Sequence, residues 1–258
     1  MATFQLGEIV IDIPRERARE LLDFYATLTG FTPEFNETHP SLLENANGLD
    51  LGLQGVDGYQ APTWPSQERG QQMHLDFATP DIEAAATWAE TIGATRAPDQ
   101  PAEAKDDDDF IVMLDPVGHP FCFVPVEEQL DGPMNAGANE EPAIFMRMAF
   151  IDCPDHVALA EFYVNLLDSE IPGEPDEEYV AIRTPHGQWL GFQRVVGYQP
   201  PTWPTQERGQ QLHFDVRVDT LEEAVQQATA LGAEVAFRGT SHVVMLDPAG
   251  HPFCLGAG

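Results

Sequence analysis

The amino-acid sequence predicts an α+β protein made of two tandem copies of one domain, each domain two βαβββ units forming a curved mixed sheet around a cleft. Three observations predict it. They are a long internal repeat, the order in which strand-like and helix-like patterns follow one another, and the Gly, Pro and Asp residues that punctuate them.

The repeat sets the number of units. The stretch GYQAPTWPSQERGQQMHLD, Gly58 to Asp76, returns as GYQPPTWPTQERGQQLHFD, Gly197 to Asp215, displaced by 197 − 58 = 139 positions with four substitutions. VMLDPVGHPFCF from Val112 returns as VMLDPAGHPFCL from Val244, displaced by 244 − 112 = 132. The seven-residue difference falls on PDQPAEAKDDDD, Pro98 to Asp109, which reads as a solvated loop insertion in the first copy. IDIPRERARELLDFY, Ile11 to Tyr25, aligns with IDCPDHVALAEFY, Ile151 to Tyr163. The domains are therefore expected at 1–130 and 142–258. Residues 131–141, rich in Gly, Asn and acid without apolar periodicity, are expected to be the linker.

Within the first copy, FQLGEIVIDI alternates as a strand. Pro14 suits the first turn of a helix whose Ala18, Leu21, Leu22, Tyr25 and Leu28 keep helical spacing until Gly30. Short strands are expected near Thr32 to Phe35, Thr38 to Leu43 and Leu49 to Val56, with a turn at Asn47 and Gly48. After the Pro/Trp-rich connection, MHLDFAT is a strand, Asp81 caps a helix over Ile82 to Ile92, and Gly93 stops it. Strands near Ala94, Phe110 to Leu114 and Pro120 to Val126 complete a second βαβββ unit, and the second copy repeats both. Two such units side by side enclose a cavity, the natural place for a ligand.

Composition narrows the function. Lys and Arg number 12 against 43 Asp and Glu, a formal charge of −31, which repels phosphate backbones and anionic lipid. Neither nucleic acid nor membrane is expected as a partner, and the acidity itself reads as solubility or a salty cytoplasm. The first residues show no basic stretch followed by an apolar run, and no segment approaches 18 uninterrupted apolar residues. Three cysteines, at 122, 153 and 254, do not form a disulfide framework, and a reducing cytoplasm is the expected location.

The βαβββ pairs, the DP-x-GHPFC endings (Asp115 to Cys122, Asp247 to Cys254) and Q-x-H-x-D at Gln72 to Asp76 and Gln211 to Asp215 resemble the vicinal oxygen chelate superfamily. That superfamily holds glyoxalases, bleomycin-resistance proteins and dioxygenases. Within it the chain is most similar to tandem glyoxalase-like proteins. The resemblance implies four ligand positions on the first and last strands of the two units. In copy one they fall on Glu8, Gln54, His74 and Cys122, the usual acid of the fourth strand aligning instead with Gly52. Glu8, His74 and Cys122 could then hold one divalent ion (Zn, Ni, Mn or Fe) in domain 1, with Glu8 as the proton-moving carboxylate; a metal-free site stays open beside it. In copy two the positions read Met148, Gln193, His213 and Cys254, which leaves ligand-orienting polar groups and no acid. Nonheme iron of the two-histidine, one-carboxylate kind does not match, nor do four adjacent acids at Asp106 to Asp109 match a calcium loop.

Each position also has a plainer role. The histidines can bond across the sheet, Glu8 can face water, and Cys122 and Cys254 can simply pack. His119 and His251 follow a DP-x-G turn and read as structural. In PTWPSQERG and its repeat, Trp64, Trp203, Arg69 and Arg208 either bridge the two units or close over a substrate. Two functions follow: a metal-assisted lyase or isomerase acting on a small oxygenated substrate in domain 1, or non-enzymatic small-molecule sequestration of the bleomycin-resistance type. The expected assembly is a monomer, as an internal pseudo-dimer, or a homodimer.

Overall fold

A computed structural model of the chain describes residues 2–35, 41–43, 49–100, 110–127 and 141–257. The expected turn at Asn47 and Gly48, the acidic run Asp106 to Asp109 and nearly all of the expected linker lie outside the described residues.

The first unit is β1 (Phe4–Pro14), a 3-10 turn at Arg15–Arg17, α1 (Ala18–Thr29), β2 (Thr32–Glu34), β3 (Ser41–Leu43) and β4 (Asp50–Val56). The second is β5 (Met73–Thr79), α2 (Ile82–Thr91), β6 (Thr95–Arg96), β7 (Ile111–Leu114) and β8 (Pro120–Pro125). Copy two supplies β9 (Phe145–Cys153), α3 (His156–Leu167), β10 (Tyr179–Arg183) and β11 (Trp189–Arg194). It ends with β12 (Leu212–Val218), α4 (Leu221–Ala230), β13 (Glu234–Arg238), β14 (His242–Leu246) and β15 (Pro252–Ala257). The third unit has only an isolated bridge, Glu170 to Arg183, where its first short strand was expected. Its sequence there, Ile171-Pro172-Gly173-Glu174-Pro175, removes two ladder donors.

Local chemistry explains the helix ends. Gly30 closes α1 with φ 71°, and the Asp81 and Asp155 side chains each accept the backbone N–H three residues on, at the starts of α2 and α3. Alternation along β1 sends Ile9, Ile11 and Ile13 into a core shared with Leu21, Leu22, Phe24, Tyr25 and Leu28 of α1. Glu8, Val10 and Asp12 point to the opposite face. The core is continuous across both copies. Two equivalent tyrosines tie helix to turn within it: Tyr25 donates to Asp115 at 2.9 Å and Tyr163 to Asp247 at 3.1 Å.

The sheets are mixed and built of βαβββ units, as expected, but each draws its units from different copies. One runs β13-β14-β15-β12-β1-β4-β3-β2 and the other β10-β11-β9-β5-β8-β7-β6. The central seams are antiparallel, β1 on β12 with Val10 opposite His213, and β5 on β9 with His74 opposite Phe150. The first unit thus partners the fourth, and the second partners the third.

The repeated GYQ…QQ connections enforce the exchange. Each carries a cis Trp–Pro bond and ends on a glutamine with positive φ, 62° at Gln72 and 63° at Gln211. The Gln72 carbonyl accepts Asp152 N–H at 2.9 Å, and the Gln211 carbonyl accepts Asp12 N–H at 2.8 Å. Their side-chain amides donate to Gln199 O at 3.1 Å and to Gln60 O at 3.2 Å. Each connection is therefore bonded to the opposite copy through both its backbone and its side chains.

Candidate functional site

The exchange brings together side chains that the sequence placed apart. Glu8 and Gln54 do not meet His74 and Cys122, because β1 and β4 lie in one sheet and β5 and β8 in the other. Glu8 and Gln54 instead line a cleft with His213, Asp215 and Cys254 of copy two. The metal set Glu8, His74 and Cys122 is thus divided between two sheets. His74 and Cys122 share the second seam with Asp76, Met148 and Gln193.

The β1/β12 cleft is open. Two adjoining cavities of about 410 and 560 Å³ share Gln54, His213, His242 and Cys254. The first has polar walls with Glu8, Asp215 and Arg217, and Arg217 also pairs with Asp50 at 3.3 Å. The second is walled by Trp203, Pro204, Phe237 and Val244. Gly52 makes room for the acid: a Cβ there would lie 2.7 Å from the Glu8 carboxylate.

The β5/β9 seam is packed shut over its polar groups. Phe150 stands where β1 has Val10, stacks on the His74 ring with centroids 5.4 Å apart and planes 10° from parallel, and sits over Gly191. The two imidazoles are both buried, but the Asp76 side chain is 9% exposed whereas that of Asp215 is 40% exposed, and Cys122 is buried as well. Cys122 packs with Ala97 and Val112 against Trp64 and Phe110. In copy two the equivalent of Phe110 is His242 (242 − 110 = 132), and the equivalents of Trp64 and Val112, Trp203 and Val244, line open space.

The other expected site residues divide as follows. Trp203 faces the cleft and Trp64 is in the packed cluster. Arg69 and Arg208 brace their own loops, donating through Nε to Ala61 O at 3.0 Å and to Pro200 O at 2.9 Å. Gln193 and Gln54 donate to Asp152 and Asp12, at 2.6 and 3.0 Å. His251 is held by Asp247 at 3.1 Å and by Tyr198 at 2.9 Å. His119 is buried, with Nε2 unpartnered.

Two polar layers escaped the sequence reading. Asp12 and Asp152, each 1% exposed, collect amides from both copies. Asp12 receives Gln54 and Gln210, while Asp152 receives Gln71 and Gln193. Gln210 and Gln71 also reach Nδ1 of His213 and His74, both at 3.2 Å. Asp215 and Asp76 form the other layer, flanking those imidazoles at 3.6 and 3.4 Å. The signal was the repeat itself: Ile-Asp and Gln-Gln occur at the same place in both copies although neighbouring residues differ.

Donor atoms of His213, Asp215 and Cys254 lie within 4.8 Å of one another, and the same holds for His74, Asp76 and Cys122. Either group could hold a metal ion by spacing, and Asp215 Oδ1 and Asp76 Oδ1 are buried without a hydrogen-bond partner. The protonation of the donors does not fit. Burial, reinforced by Asp215, pushes the Cys254 thiol up, and burial also raises Cys122. An ion would have to displace both thiol protons, and the side-chain amide of Gln210 or Gln71 lies against Nδ1 of each histidine.

Comparisons with known proteins agree with this architecture. The glyoxalase-like domain family matches residues 8–124 and 148–256. Glyoxalase I from Zea mays superposes with a TM-score of 0.64 at 14% identity, over 99% of this chain and 93% of that one. A putative dioxygenase from Bacillus subtilis gives 0.62 at 14% identity, over 99% and 85%. At such identities the likeness concerns the fold. No curated protein sequence matches the chain. Among the described residues no helix is long and apolar enough to cross a membrane.

Proposed function

Since the chain belongs to the glyoxalase-like domain family, we propose that it binds a small organic molecule at one composite site, the β1/β12 cleft, to which both copies contribute. One observation carries this reading: Glu8, His213, Asp215 and Cys254 line a cavity at the β1/β12 seam, whereas at the β5/β9 seam the equivalents of the last three, His74, Asp76 and Cys122, are buried and the Phe150 ring lies on His74. The hollow has an apolar wall at Trp203 and Phe237 and a polar end at Glu8, His213 and Asp215, the mixture that orients a small ligand. Two carboxylates stand at that end against the one guanidinium of Arg217, which is already paired with Asp50, and this balance disfavours an anion. Sequestration needs nothing further from the chain.

The test is thermal unfolding with millimolar salicylamide and catechol as probes. The wild type is stabilised by at least one of them, and Val10→Phe, which puts the second seam's plug into the first, abolishes the shift. Equal shifts in both proteins would contradict the reading.

A second reading, a metal-assisted lyase or isomerase with Glu8 as proton acceptor, is favoured by the convergence of His213, Asp215 and Cys254. Proton exchange into deuterated solvent by a bound probe, lost in Glu8→Gln with binding retained, would support it.

A further inference from the structure

The Asp12, Gln210 and His213 chain fixes where the imidazole hydrogen sits. The Gln210 side-chain nitrogen lies 3.0 Å from Asp12 Oδ1 and 3.2 Å from His213 Nδ1. Asp12 Oδ1 accepts, so the amide must present its NH2 rather than its carbonyl. An amide nitrogen has two hydrogens and no lone pair to offer, so the second hydrogen goes to Nδ1, which must be unprotonated. The ring hydrogen of neutral His213 therefore resides on Nε2, on the cleft side. The same spacing recurs in the other seam, where the Gln71 side-chain nitrogen lies 3.1 Å from Asp152 Oδ1 and 3.2 Å from His74 Nδ1.

Metal-binding histidines carry the opposite arrangement, an acceptor on the far nitrogen that keeps its hydrogen and leaves the near lone pair for the ion. Moving the His213 hydrogen to Nδ1 would point N–H at N–H. What the cleft offers is a donor, Nε2–H, beside an acceptor, Asp215 Oδ1, 3.6 Å apart. That separation is too long for them to satisfy each other, and Asp215 Oδ1 is buried without a partner.

We infer that the cleft takes an uncharged organic ligand whose polar edge sets a hydrogen-bond acceptor beside a donor, as in a carboxamide or lactam, held directly by His213 and Asp215 with no metal ion between. The ligand's flat body lies along Trp203 and Phe237. This inference rests on the reading of the cleft as a small-molecule site.

Nitrogen-15 spectra of histidine-labelled protein at pH 8 test the hydrogen's position. The signals that vanish in His213→Gln are expected to show Nε2 protonated and Nδ1 bare; the reverse would overturn the inference. Zinc, nickel and manganese ions are then titrated alone. The wild type is expected to show no stoichiometric site that His213→Gln removes, and finding one would equally overturn it. Asp12→Asn with Gln210→Glu reverses the chain of donors: the amide introduced at position 12 donates to the carboxylate introduced at position 210, which in turn accepts from Nδ1. That double variant is expected to gain at least tenfold in zinc affinity at the cleft. If it does not fold, the wild-type spectra and titrations decide. Salicylamide binding weakened at least tenfold by His213→Gln supports the ligand class. Binding indifferent to that change defeats this inference and leaves the small-molecule reading standing, whereas no binding of either probe defeats that reading while the hydrogen's position stands.

Discussion

The two seams of this molecule were made from one sequence and now do different things. At β1/β12, where the strand carries Val10 and Glu8, the acid lies over Gly52 and lines an open cavity with His213 and Asp215. At β5/β9, Phe150 and Met148 stand at the same places and the ring covers Gly191 and His74. The polar scaffold beneath, carboxylate to amide to imidazole, is retained in both. Scaffold and access are therefore separable: the buried amides and acids hold the seams together whatever covers them, and one or two side chains above decide whether anything can enter.

The flanking turns differ as much as the seams, and they offer the largest effect. Tyr198 bonds His251 in copy two, while in copy one the equivalent Tyr59 hydroxyl and His119 Nε2 are both buried and unpartnered. Burial lowers His119 from 6.5 to about 4. The folded chain thus refuses a proton that the unfolded chain accepts. The stability is whole above pH 6.5 and is lost as pH falls toward 4, by about 3 kcal/mol at about 1.4 kcal/mol per unit. Asp115, raised to about 6 by the same burial, takes its proton earlier when folded and works in the opposite direction. Urea unfolding of the wild type against His119→Gln from pH 7 to 4 isolates the histidine, since Asp115 is common to both.

A single methyl probes the plug. Gly191→Ala drives a Cβ into the Phe150 ring and is expected to cost about 2 kcal/mol. Gly52→Ala meets the flexible end of Glu8 and is expected to cost under about 1 kcal/mol, yet to weaken probe binding by moving the acid. Equal costs at the two glycines would remove the distinction between a filled and an open seam. Below the seams the copies match, so Tyr25→Phe and Tyr163→Phe, each losing a buried bond to a turn aspartate, are expected to cost the same, about 1 kcal/mol. Urea unfolding measures all four.

Elements and their order were legible because each is signalled locally: the repeat, the Asp81 cap, the Gly30 stop and the alternation of β1. Glu8, Gln54, His213, Cys254 and Trp203 line the β1/β12 cavities, in a grouping the sequence does not show. Partner choice between units depends on where the long connections at 57–72 and 195–211 lead, and nothing in the alternation of Phe4 to Pro14 says whether β5 or β12 will lie beside it. Gln72 and Gln211 held the clue, being repeated side chains with no role inside their own copy. For Arg69 and Arg208 the sequence left a structural and a substrate-closing role side by side, since a guanidinium bonded to its own loop looks, in sequence, like one free to grip an anion. Phe150 carries no signal of its own in the sequence, and only its register opposite His74 shows what it covers.

The most direct test of a site shared between copies is salicylamide affinity, by calorimetry, in His213→Gln, Glu8→Gln and His74→Gln proteins. A composite β1/β12 cleft predicts that the first two, one from each copy, weaken binding at least tenfold and that the third leaves it unchanged. Loss of binding in Glu8→Gln and His74→Gln, with His213→Gln unaffected, would place the site within one copy and contradict the account.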